Sequence, residues 1–155
     1  MTSKKFPNIV PEFLSYVLYE TQSSRESTEE PSTPNQLLLA EELVTELKSS
    51  GLRDAHIGKG GVVYGTLPAT RGCEDCPGLG LIAHMDTSPD APAVNIKPQI
   101  LVYEGKDVLL NPEKGIYFKE EAFPEIKKHL NQEIIFTDGT TLLGADDKAG
   151  IAAIT

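Results

Sequence analysis

His84 and Asp86, two residues apart in LGLIAHMDTSPD (79–90), are the first pair whose types and spacing can do chemistry. On an extended chain alternate residues share a face, so both side chains project the same way. One imidazole nitrogen can then ligate a metal ion while the neighbouring carboxylate fixes the ring. Alone, the pair is more often a polar strand end than a site. A second group, Asp146-Asp147 in TDGTTLLGADDKAG (137–150), stands where a short strand or turn leads into a helical pattern. Taken alone, aspartates there cap backbone donors and offset the helix dipole. Taken with the first motif, a carboxylate arriving beside a His-x-Asp at the end of a sheet is what a two-metal hydrolase needs, one oxygen for each ion. Cys73 and Cys76 form a CxxC, which can be half a zinc ribbon or a redox pair. The second half of a ribbon is absent and no helical pattern follows Cys76, so the reading is a surface loop with two reduced thiols. His56 and His129, in strand-like and helix-like segments, read as structural or solvated.

These residues need elements to hold them. The apolar run 79–83, with glycines on one side and Pro89 on the other, predicts a buried strand that delivers His84 and Asp86 at its carboxyl end. Open α/β sheets place ligands there. Before it, Val10, Phe13, Leu14, Val17 and Leu18 recur at helical spacing and predict an amphipathic helix over 8–20, with Pro11 tolerated in the first turn. Residues 21–35 are rich in Ser, Thr, Glu and Pro and predict an exposed, mobile loop. Leu39, Leu43, Val44 and Leu47 predict a second helix over 35–50, with Gly51 just past its end. The β-rich pieces 54–57 and 61–67 around Gly58-Lys59-Gly60-Gly61 predict a hairpin, and without GxxxxGK[ST] the glycines are a turn rather than a phosphate loop. Further on, 100–103 and 108–110 predict short strands within an excursion ending near Phe118. A helix is predicted over 121–130 and a strand over 133–137, closed by Asp138-Gly139. Helices alternating with apolar strands predict a layered α/β architecture with a mixed sheet.

Composition bounds the function. The chain has 155 residues, enough for one domain with a core, and 39% of them are hydrophobic and 24% charged. No apolar run is long enough to span a bilayer. Pro7, Pro11 and Glu12 interrupt the start where a signal peptide needs an unbroken apolar region, so the expected location is the cytoplasm. A formal charge of −9 speaks against nucleic acid or an anionic membrane as partner, since both need a basic footprint.

Together LIAHMDTSPD and TDGTTLLGADDKAG resemble the two N-terminal metal motifs of the peptidase T family. These are the tripeptide aminopeptidases among the co-catalytic zinc peptidases, which also include aminoacylase and glutamate carboxypeptidase. The PST near the start (31–33), Asn95-x-x-Pro98-Gln99-Ile100 and Lys148-Ala149-Gly150 extend the likeness over nearly the whole chain. The resemblance implies an α/β/α zinc-peptidase catalytic domain acting on small peptides. It implies that His84 ligates one zinc, that Asp86 orients His84 and tunes the site as a catalytic carboxylate, and that Asp146 bridges the two ions. It implies a cis peptide between Asp146 and Asp147. It also implies an adjacent Glu-Glu pair with the general base, a further acidic ligand, a late His, and a separate lid or dimerisation domain that would make a homodimer. All of these should lie beyond Thr155. The expectation is therefore the N-terminal part of a catalytic domain, over 1–155, inactive alone. Two zinc ions of about four ligands each cannot be saturated by His84, a shared Asp146 and a water. The alternatives are a related dizinc dipeptidase or N-acyl amino acid deacylase, a non-catalytic fragment that binds metal weakly or packs against a partner, and a thiol redox module on Cys73 and Cys76.

Overall fold

The computed structural model describes residues 8–155, which form three helices and six short strands. Helix α1 (Ile9–Tyr16) carries Phe13 and Tyr16 on its buried face, and the chain leaves it through the equally buried Val17. Helix α2 (Gln36–Ser49) buries Leu39, Leu43 and Leu47, one per turn, and ends at Gly51, whose φ of +83° is the left-handed conformation a helix stop favours. Helix α3 (Ala145–Ile154) adds Ile151 and Ala152. Apart from Leu47, these side chains form one apolar cluster. Tyr16 reinforces it, since its hydroxyl reaches Glu46 of α2 and stands 3.1 Å from Thr155 Oγ1 after α3.

All strand ladders among the described residues are antiparallel pairs. Strands β1 (Arg53–Ile57) and β2 (Val63–Thr66) make the expected hairpin around a 3-10 turn at Lys59–Gly61, and His56 of β1 stacks on Tyr64 of β2. Strands β4 (Val108–Asn111) and β5 (Ile116–Phe118) make a second hairpin. The third pair joins β3 (Gln99–Val102) to β6 (Glu133–Phe136) across a long excursion. Strand β6 separates two cores. Its Ile135 packs on the helical cluster, whereas Ile134 and Phe136 face a second cluster with Tyr103 and Ile126. Period-two alternation on a strand buried from both sides produces this division.

Three expectations are corrected. Residues 79–84 are not a buried strand: they have no ladder partner among the described residues, and Leu79, Leu81 and Ile82 are 85%, 63% and 94% exposed. An apolar run specifies burial only if neighbours exist to cover both faces, and here only Ala83 and Met85 find the helical core. The expected mixed sheet is likewise not assembled, and the one parallel element is an isolated bridge between Gln22 and Thr87. The segment 121–130 holds only a 3-10 helix at Pro124–His129, which buries Ile126 alone and so lacks the stripe that sustains an α-helix. No helix among the described residues is long and apolar enough to cross a membrane.

Candidate metal centre

Alternation along the extended segment fixes the site. Ala83 and Met85 pack inward, which turns His84 and Asp86 to the other face. His84 Nδ1 lies 3.0 Å from both the backbone oxygen and Oδ1 of Asp86, two acceptors that place the ring hydrogen on Nδ1. Nε2 therefore points away from Asp86 and sits 3.0 Å from Asp146 Oδ1, 62 residues on. Burial pulls the imidazole pKa down, but the Asp146 and Asp86 carboxylates outweigh it and the net direction is up. The Asp146 side chain is 94% exposed, so its carboxylate is open to a further ligand.

The two neighbouring aspartates have different tasks. Asp147 Oδ1 accepts the Gly150 N–H at 3.1 Å and caps the helix, which leaves Asp146 to face His84. Their shared peptide is cis, as expected, and both have non-helical backbone angles, so regular α3 begins at Lys148. Gly144 starts this turn at φ +75°, and a Cβ there would lie 3.1 Å from Thr87 Cγ2. The turn thus packs directly on the loop that follows Asp86.

That loop is held by the segment expected to be mobile. Thr21 Oγ1 donates to Met85 O at 2.7 Å, the Thr87 N–H to Thr21 O and the Ser23 N–H to Thr87 O. Gln22 Nε2 donates to the carbonyls of Ser88 and Ala91, and Arg25 pairs with Asp90 at 2.6 Å. Hydroxyls and amides order this stretch where apolar area does not. Lys148, which sequence reading gave no role, is fully buried, and its ammonium donates to the Tyr19 carbonyl at 2.7 Å. Burial takes it down to about 8. One signal existed: Lys148, Ile151 and Ala152 share helical spacing and one buried face.

The donor chemistry fits a zinc half-site. An imidazole nitrogen and a carboxylate oxygen are zinc ligands, and donors about 2.0–2.2 Å from a tetrahedral ion stand about 3.3–3.6 Å apart, so the 3.0 Å found here would open by a few tenths of an ångström to admit one. It is no more than a half-site, because Asp86 is spent on Nδ1 of the ring and no group of three or more His, Cys, Asp or Glu that could hold a metal ion occurs among the described residues. Cys73 and Cys76 are free and exposed, His56 is in its hairpin and His129 Nδ1 is paired with Gln132, so none joins the centre.

No family model matches the chain. Whole-sequence comparison finds peptidase T of Desulfitobacterium hafniense (strain Y51), 51% identical over 148 residues. It also finds peptidase T of Clostridium novyi (strain NT), 48% identical over 147 residues, and of Halothermothrix orenii, 50% identical over 147. These alignments cover 94–95% of this chain and 36% of each relative, so the chain spans about a third of the length of the proteins it matches. The likeness read from the two metal motifs thus holds along almost the whole sequence, and the protein that the chain resembles is peptidase T.

Proposed function

We propose that this chain is the N-terminal part of the catalytic domain of a dizinc aminopeptidase that releases the first residue of tripeptides in the cytoplasm. The observation that carries the reading is His84 held between Asp86 and Asp146, in a chain half identical to peptidase T. Asp86 keeps the ring hydrogen on Nδ1 and so aims the Nε2 lone pair outward. His84 would hold one zinc and Asp146 would bridge two. When bound, zinc supplies Lewis acidity toward a peptide carbonyl and acidifies water. The remaining donors and the general base belong to sequence outside these 155 residues, within a layered α/β/α domain that dimerises through a separate module. The small antiparallel sheets, with β6 walled by two cores, are compatible with part of such a layer.

For the chain by itself, the two-donor set favours weak metal binding without turnover. The test is to express the complete product of the reading frame that encodes it, then measure zinc content and release from a tripeptide, a dipeptide and an N-acetyl amino acid. Preference for the tripeptide, with loss of one zinc and nearly all turnover in His84→Ala, is the expected result. Faster release from either other substrate reassigns the protein to a related dipeptidase or deacylase. Normal turnover in His84→Ala overturns the site.

A further inference from the structure

The metal centre leaves one pair of nucleophiles unused. Cys73 and Cys76 sit in the exposed loop between β2 and the segment that carries His84. The Cys76 N–H donates to the Cys73 carbonyl at 3.0 Å, and the Cys73 N–H to Thr70 O at 2.9 Å, so two consecutive turns share Cys73. A hydrogen-bonded four-residue turn holds its end Cα atoms within about 7 Å, which overlaps the roughly 4.4–6.8 Å that a disulfide spans. No core side chain lies in this loop, and every residue from 71 to 80 is exposed. Bringing the sulfurs together therefore disturbs no packing. No group of three or more His, Cys, Asp or Glu placed to hold a metal ion occurs among the described residues, and Glu74 between the cysteines turns its carboxylate to the Gly72 N–H instead.

We propose that Cys73 and Cys76 form a dithiol–disulfide site that exchanges with small disulfides. The thiolate of one cysteine attacks a low-molecular-weight disulfide RSSR, forming a mixed disulfide and expelling RS⁻, which takes up the proton that the cysteine lost. The second thiolate then attacks the protein sulfur of that mixed disulfide, closes the Cys73–Cys76 bond and releases the other RS⁻, protonated in the same way. Two protein thiols are oxidised and one RSSR is reduced to two RSH. Glu74 and Asp75 lie between the cysteines, so the local charge favours a disulfide bearing ammonium groups over one bearing carboxylates.

The experiment treats the chain, with chelator present, with cystamine or oxidised glutathione and follows intact mass, peptide mapping and free-thiol count. The expected result is loss of two hydrogens with no adduct, the bond mapping to Cys73–Cys76, and closed disulfide exceeding mixed disulfide by roughly tenfold or more. Cystamine should react faster than oxidised glutathione, with the difference shrinking at high salt. Cys76→Ser and Cys73→Ser should each stop at a stable one-adduct species, which also shows that both thiols are reachable. The proposal is overturned if the unmodified chain accumulates two adducts or disulfide-linked dimers. It is equally overturned if, in a parallel run without chelator, the thiols stay masked by a bound metal.

Discussion

In the proposed metal centre the imidazole of His84 serves only because Asp86 decides which of its nitrogens faces out. In a cobalt or zinc titration of the chain, His84→Ala should abolish the weak binding proposed for it. Asp86→Ala should keep both donors yet lower affinity about 10–100-fold, since the ring loses what orients it. Equal loss in both variants would make Asp86 a ligand rather than an orienting group. The aspartate pair separates in the same way. Asp146 is almost wholly in solvent, so Asp146→Ala should remove metal binding and leave the unfolding free energy unchanged. Asp147 caps α3, so Asp147→Ala should cost about 1 kcal/mol in a denaturant melt and keep most of the metal affinity. Reversal of these two results would exchange their roles. The His84–Asp86 pairing was legible in the sequence because period two is a property of extended backbone alone. The division of labour between Asp146 and Asp147 was not, because both types cap and both ligate.

At the level of elements, legibility follows what each segment packs against. Helix α2 was readable because Leu39, Leu43 and Leu47 repeat on one buried face, and the β1–β2 hairpin because glycines punctuate it. Residues 79–84 misled because an apolar run announces a need for cover without saying that partners are present. The segment 21–35 misled because composition measures apolar area, and its order comes from hydroxyl and amide bonds to 85–91. The role of Lys148 was not legible because lysines are almost never fully buried. Its burial joins the start of α3 to the chain after α1 and makes stability depend on pH. With its folded pKa down at about 8 against an ordinary value of 10.5, the unfolded chain binds a proton in that interval that the folded chain does not, so stability rises with pH there. Tyrosines act in the opposite sense. Tyr16 is held well above the usual range by burial and by Glu46, and Tyr103 is raised to about 12 by Glu120 and by burial. Above about pH 10 the folded chain keeps protons that the unfolded chain releases, and stability falls. Melting temperature should therefore climb from pH 8 toward 10 and then decline. Lys148→Met should flatten the climb and spare the decline. A climb that persists in this variant would assign it to another group.

Two opposed properties of the whole molecule decide whether copies of it meet. A net charge of −9 keeps copies apart, whereas Leu67, Leu79, Leu81 and Ile82 present apolar surface along one stretch of chain. Repulsion between solvated charges weakens as salt rises, because the screening length shrinks to about 8 Å at physiological ionic strength. Apolar contact does not weaken with salt. The prediction is that the chain self-associates reversibly in sedimentation velocity, and more strongly as sodium chloride is raised. Each large apolar side chain fully covered in such a contact contributes about 1.5–3 kcal/mol. Leu81→Glu with Ile82→Glu should thus weaken association at least tenfold while leaving the fold intact, because neither side chain belongs to either core cluster. Leu130→Glu, which replaces an exposed leucine elsewhere, is the control for added charge alone and should have a much smaller effect. If both variants weaken association equally, charge is the cause and the apolar stretch is not the contact. If the double variant remains as associated as the unmodified chain, the contact lies on another face and the exposed run beside His84 is bare in solution.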